Sequence, residues 1–179
     1  MTAQSSGISE TVHFERERGV TEVQVTRGVA HVRVELPQAE LSMERLHLLK
    51  ALASANIPVF LVKLHPTGIS FALREGVVEA GAELLRSQGF EHAMLRDLAL
   101  VAVVAGAMRD LSGVMALIYE ALVGKGVLVR QTGDAYNAVL CLIKGDEADA
   151  AAEALRACFF RPPVQGMTEP VGGIARLGL

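Results

Sequence analysis

The chain has 179 residues, 51% of them hydrophobic and 21% charged, with a mean hydropathy of +0.35 and a formal charge of −3. That length suits one ordinary domain or two small ones, and 17 basic against 20 acidic residues leave no broad basic face for a nucleic-acid partner. No apolar run reaches the ~18 residues of a membrane span, and Met1 to Glu10 is polar rather than signal-like, so a cytoplasmic protein with no membrane partner is expected.

In chain order, residues 1–19 read as a disordered or extended leader. Val20, Val23 and Val25 alternate closely enough for a strand, and Val32, Val34 and Leu36 alternate with His31, Arg33 and Glu35 for another. Ser42 is placed to cap a helix whose apolar stripe is Leu46, Leu49 and Ala53. A hairpin follows, Val59 to Leu64, the turn Pro66-Thr67-Gly68, then Ile69 to Leu73. Glu75 to Gln88 reads as a helix stopped by Gly89, and His92 to Leu95 as a strand. Leu100 to Ala105 is a fully apolar strand, and Val114, Leu117, Ile118, Ala121 and Leu122 stripe a helix that Gly124 and Gly126 end. Strands at Val127 to Gln131 and Ala138 to Ile143 flank a turn within Thr132 to Asn137, and a helix from Asp146, its cap, runs to Ala157. Pro162, Pro163 and Pro170 exclude a regular helix from the irregular tail 161–179, where Val171 to Ala175 is the stretch able to add an edge.

Sliding the chain by 70 positions aligns Ala30 to Phe90 with Leu100 to Phe160 without a gap and with twelve identities in 61 pairs, among them Ala51/Ala121, Leu52/Leu122, Glu83/Glu153 and Arg86/Arg156. Apolar pairs such as Leu48/Ile118 and Ile69/Val139 hold the same register. Each copy spells strand, helix, two strands and helix, the βαββαβ order of the α+β ferredoxin-like arrangement, with two helices on one face of a four-stranded antiparallel sheet and the other face free for a partner.

Chemistry is scarce. Cys141 and Cys158 form no C-x-x-C pair and read as reduced, buried thiols. Glu44-x-x-His47 has the spacing of a carboxylate-bridged metal site, but the second helix that site needs is missing, so no metal is expected and His47 reads as an exposed helix residue. Glu83/Arg86 and Glu153/Arg156 read as solvated pairs, and Phe90, Phe159 and Phe160 as packing residues. With no glycine-rich phosphate loop, no nucleophile beside a base and no carboxylate pair in a cleft, no catalytic residue and no cofactor are expected.

The stretch from Val20 to Phe160 resembles the tandem ACT regulatory region at the C-terminal end of aspartate kinases. Val20-Thr21-Glu22-Val23 resembles that family's opening strand, Ala51 to Val59 its helix and following strand entry, and Met108 to Glu120 its second-module pattern of methionine, polar residues, glycine-valine and helix. The resemblance implies two tandem ferredoxin-like ACT domains, a first over 30–96 and a second over 97–160, with the strand at 20–29 joining the second. It implies amino-acid sensing without an enzymatic activity: a stand-alone regulatory protein, no kinase domain preceding Val20, that binds an amino acid of threonine or lysine type between modules of a homodimer. The alternative is a ligand-free interaction subunit that pairs with an aspartate kinase or another enzyme chain.

In such modules the effector lies near the loop entering the first helix, where unpaired N–H groups and the helix dipole meet its carboxylate. The resemblance places Met108, Asp110, Leu111, Ser112, Gly113 and Val114 there in the second copy, with Gln131 near the other end of the ligand and Asp110 facing its ammonium. Serine stands at Ser112 where the family usually has proline. In the first copy the matching loop is Glu40, Leu41, Ser42 and Met43, with Met43 in place of glycine. Phe60 and Leu64 stand where the family commonly has aspartate and glutamine, which implies an altered or lost first site, since an unpaired polar ligand group in an apolar slot costs about 1–3 kcal/mol.

Overall fold

The structure, a computed structural model, describes residues 19–106 and 113–160; most of the leader, the loop 107–112 and the whole tail, including Val171 to Ala175, lie outside the described residues. Among the described residues six strands and four helices follow one another: β1 (Val20–Glu35), α1 (Leu41–Ser54), β2 (Phe60–His65), β3 (Gly68–Arg74), α2 (Val78–Ser87), β4 (His92–Ala105), α3 (Val114–Val123), β5 (Gln131–Ala135), β6 (Ala138–Lys144) and α4 (Ala148–Phe160). The strands form one antiparallel sheet in the order β2-β3-β1-β4-β6-β5.

The four short strands expected around 20–36 and 92–105 are two long ones. At Gly28 and Asp97 the backbone turns to positive φ, 68° and 56°, and the ladder shifts register between Arg27 and His31. Such bulges let a strand bend and continue where a turn would have ended it. The first half of β1 pairs with the second half of β4 (Val25 with Val101), and its second half with the first half of β4 (Val32 with Met94). Both repeats therefore draw on the same two central strands, and a single sheet replaces two separate ones.

All four helices lie on one side of it. Beneath α1 and α2, Leu48, Leu52, Val78 and Leu85 pack on Val32, Val34, Ile69, Phe71 and Leu73. Beneath α3 and α4, Ile118, Leu122, Ala151 and Leu155 pack on Val23, Val101, Val103, Cys141 and Ile143. Each such fully buried large side chain stabilises the fold by about 1.5–3 kcal/mol. The opposite strand faces carry a third cluster of Val29, Ala72, Leu98, Leu100 and Leu142, joined by Phe60, Leu61 and Leu140. That face is not free, as the βαββαβ pattern had suggested: the sheet curls until its two edge strands, β2 and β5, meet across it, and an ideal Cβ on Gly133 would come within 2.3 Å of Leu61 Cδ2.

Helix ends follow local chemistry. After α1, α2 and α3 the residues Asn56, Gly89 and Gly126 take positive φ, and the next residues, Ile57, Phe90 and Val127, return an N–H to the carbonyls of Leu52, Leu85 and Leu122 at 2.9–3.0 Å. This is the Schellman closure, with an apolar residue tucked behind each end. Helix starts depart from the expectation. Ser42 lies inside α1 rather than at its cap, and Asp146 lies in a 3-10 turn ahead of α4, because Gln38–Glu40 and Gly145–Glu147 begin these helices as 3-10 turns. The core stripe of α1 runs through Leu48 and Leu52 rather than Leu46, which is 44% exposed. Strand β5 begins at Gln131 instead of ending there: Thr132, Gly133 and Asp134, turn-like in composition, pair with Cys141, Leu140 and Val139. Arg156 donates to the Val23 carbonyl at 3.2 Å rather than pairing with Glu153, whereas Glu83 and Arg86 do pair, at 3.0 Å. Cys141 is buried as expected, but Cys158 is exposed on the outer face of α4, and Phe160 is 44% exposed.

Candidate functional site

The loop into α1 runs through Pro37 and the 3-10 turn to Leu41. Glu40, Ser42 and Met43 are exposed, Met43 to 64%, and Leu41 packs partly on the core, so methionine fills the solvent side where glycine would open the backbone. Arg45, which sequence reasoning passed over, ties this helix start to the β2–β3 hairpin: its guanidinium donates to the carbonyls of His65 and Gly68, and Gln38 Nε2 donates to Pro66 O at 2.8 Å. An arginine one turn inside a helix is an ordinary solvent residue by pattern, and nothing local marks its carbonyl partners. A cleft of about 600 Å³ opens beside the loop, with Glu35, Glu44, Glu91 and His47 on its walls. Arg33 holds the Glu35 carboxyl below the usual carboxylate range through a 2.7 Å hydrogen bond. His47 is exposed, as expected, and its ring meets Phe90 at 5.5 Å.

In the second copy Met108, Asp110, Leu111 and Ser112 lie outside the described residues. Gly113 is the N-cap of α3 at φ 80°, a left-handed backbone that favours glycine, and nothing stands within 4 Å of the place a Cβ would take. Its carbonyl accepts the first helical bond from Leu117 at 3.1 Å. Val114 packs into the core, leaving only its backbone for a ligand.

Gln131 is elsewhere. It sits level with Leu142 and Leu100, five positions short of the end of β4 at Ala105, roughly 16 Å along the strands. It belongs to the concave face, whereas α3 and Gly113 lie on the helical one. There it is 92% buried at the centre of a polar network. Its Nε2 donates to Leu61 O at 2.6 Å, while Oε1 meets His31 Nε2 at 2.8 Å and accepts from Ser70 Oγ at 3.2 Å. Ser70 in turn meets His65 Nε2 at 2.8 Å. Burial, with His65 and Arg33 nearby, pushes the His31 pKa down, against the pull of the Gln131 bond. Leu61 itself takes φ 50° within a β2 bulge. Sequence reasoning read Gln131 as a ligand residue because the edge strands' meeting is a property of the curled sheet alone.

Phe60 is partly buried with the concave-face cluster, the Arg74 guanidinium lying 5.6 Å from its ring centre, and Leu64 is 63% exposed. Neither offers a polar group to a ligand. Among the described residues no three His, Cys, Asp or Glu side chains gather as a metal site, and no helix is long and apolar enough to cross a membrane.

Residues 95–157 match the family described as ACT domain. Over 143 residues the chain is 23% identical to aspartokinase 1 of Bacillus subtilis (strain 168), a match covering 80% of this chain and 35% of that protein, so it spans about a third of its curated relative. The fold is similar to the ligand-free regulatory subunit of aspartate kinase from Thermus thermophilus, with a TM-score of 0.71 at 20% identity, over 79% of this chain and 99% of that one. It is also similar to E. coli aspartokinase III in complex with lysine and aspartate, with a TM-score of 0.68 at 17% identity, over 83% of this chain and 35% of that one. The fold of aspartokinase regulatory regions is thus established for this chain.

Proposed function

We propose that this chain is a regulatory ACT protein that senses an amino acid and has no enzymatic activity of its own. The observation that carries the reading is the interleaved sheet, β1 and β4 shared between two helix pairs, which aligns with 99% of the chain of a Thermus thermophilus regulatory subunit. In this reading two ferredoxin-like units divide the chain, 30–96 and 97–160, with residues 20–29 serving as the fourth strand of the second. The lysine in the aspartokinase III complex supports an amino acid as effector, lysine before threonine. The chain acts as a homodimer and transmits occupancy to a partner enzyme, an aspartate kinase chain being the first candidate.

A second reading, a ligand-free interaction subunit, is favoured by Met43 and Phe60 in the first loop and strand and by the internal use of Gln131. Thermal shift of the full chain against the twenty amino acids, with sedimentation at micromolar concentration, separates the two. A concentration-dependent shift with one or a few amino acids supports the sensor; no shift with any of them leaves the interaction subunit. A monomer overturns the dimer.

A further inference from the structure

Where the repeats meet, the bulges of β1 and β4 border a cleft of about 790 Å³. It is built from corresponding parts of both halves: the bulge residues Gly28 and Asp97, and the 3-10 turns that begin at Glu75 and Gly145. Each half needs glycine here for its own reason: Gly28 holds φ 68°, and a Cβ on Gly145 would lie 2.7 Å from Asp97 O, a backbone atom.

Two of the lining arginines are already matched. Arg27 pairs with Asp149 at 2.6 Å, and Arg96 pairs with Glu79, the position 70 residues before Asp149. Five other charges on the lining have no ion pair or side-chain hydrogen bond among the described residues: the cations Arg130 and Lys144, and the carboxylates Glu75, Asp97 and Asp146. Val78 and Leu98 add apolar surface between them. A cavity that offers unmatched charge of both signs beside apolar wall suits a ligand carrying both signs itself.

We propose that this cleft binds a small zwitterion, a free α-amino acid, with its carboxylate on Arg130 and Lys144 and its ammonium on Glu75 and Asp146. The proposal rests on the amino-acid-sensing reading and gives the sensor a site within one chain, apart from the helix-entry loops at Glu40–Met43 and 108–114. Because the lining spans both bulges and both repeats, occupancy ties the two halves together.

The test is calorimetry on the full chain with whichever of the twenty amino acids binds most tightly, in the wild type, Arg130→Gln, Glu75→Gln, Lys144→Gln and Gly113→Asn. Asparagine tolerates the left-handed backbone at position 113 while adding bulk at the α3 loop, and the three charged residues are exposed and unpaired, so circular dichroism should show all four variants folded. Removing one charged partner is expected to weaken binding roughly 10- to 100-fold, and the N-acetyl form of the same amino acid should lose as much, with Gly113→Asn unchanged. Binding indifferent to Arg130, Lys144 and Glu75 overturns the cleft, and if Gly113→Asn then abolishes it the sensor survives with its site at the α3 loop. No heat with any amino acid overturns the cleft and the sensor together.

Discussion

Replacing Gln131 by leucine, the residue found at the equivalent position of the first repeat, Leu61, tests whether the curled sheet is held by side chains across its edges. The substitution keeps volume and removes contacts to the Leu61 carbonyl, His31 Nε2 and Ser70 Oγ; Ser70 keeps His65. Three hydrogen bonds are worth about 0.5–1.5 kcal/mol each, and a carbonyl left buried without a donor costs about 1–3 kcal/mol more. Burying the extra apolar surface of leucine returns about 1 kcal/mol. The net loss is about 1.5–6.5 kcal/mol, a drop in Tm on the order of 10 °C for a chain of this size. Urea and thermal denaturation followed by circular dichroism measure it, and hydrogen exchange should show the amides of β2 and β5 losing protection together while those of β1 and β4 keep theirs. A stability change within about 0.5 kcal/mol, the scatter of ordinary surface substitutions, refutes the clasp.

Burial holds the His31 pKa below the ordinary histidine value, so between the two the unfolded chain binds more protons, and stability rises with pH up to the ordinary value and then levels. His31→Gln should flatten that part of a urea-stability profile, leaving the separate acid loss below 4.5 that Glu35 and Glu79 contribute through their arginines. Gly68→Ala puts a Cβ 2.0 Å from Val34 O, a backbone atom that cannot step aside; a loss above about 2 kcal/mol is expected from equilibrium unfolding. A thiol reagent should label the exposed Cys158 in the native protein and reach Cys141, buried and with its pKa pushed up to about 11, only on unfolding; mass spectrometry showing two fast labels would contradict the core of the second half.

The elements were legible where a short-range signal determines them. Period-two alternation marked Val32 to Glu35, and Gly89 and Gly126 marked helix ends because only a left-handed residue closes a Schellman turn at low cost. What sequence could not show is long-range. Gly28 and Asp97 read as the gaps between strands, since a bulge and a turn have the same local chemistry and differ only in whether the partner strand continues. Thr132-Gly133-Asp134 has turn composition but is held extended by β6, and Gly133 serves there by leaving room for Leu61. The candidate site suffered most: the residues of its second loop precede Gly113 outside the described structure, and Gln131 is claimed by a network assembled from four strands, β1, β2, β3 and β5.

The duplication explains why those four strands meet. With β1 and β4 at the centre, the sheet order reads the same from either edge, so β2 and β5 are equivalent edges, and Leu61 and Gln131, 70 positions apart in the repeat, come face to face when the sheet curls. Two identical residues at such a junction would meet as like with like: two leucines leave the bulged carbonyl of Leu61 without a donor, and two glutamines bury a second amide with no matching partners. One leucine and one glutamine satisfy both demands, the leucine lying over Gly133 and the glutamine capping the carbonyl. The same logic separates the two halves chemically. His31 and Ser70, which complete the glutamine's hydrogen bonds, come from the first repeat, and their ladder counterparts in the second, Leu100 and Leu140, are apolar. Divergence between the two halves at these positions is what lets the edges close on one another, with Gln131 turned to that network on the concave face.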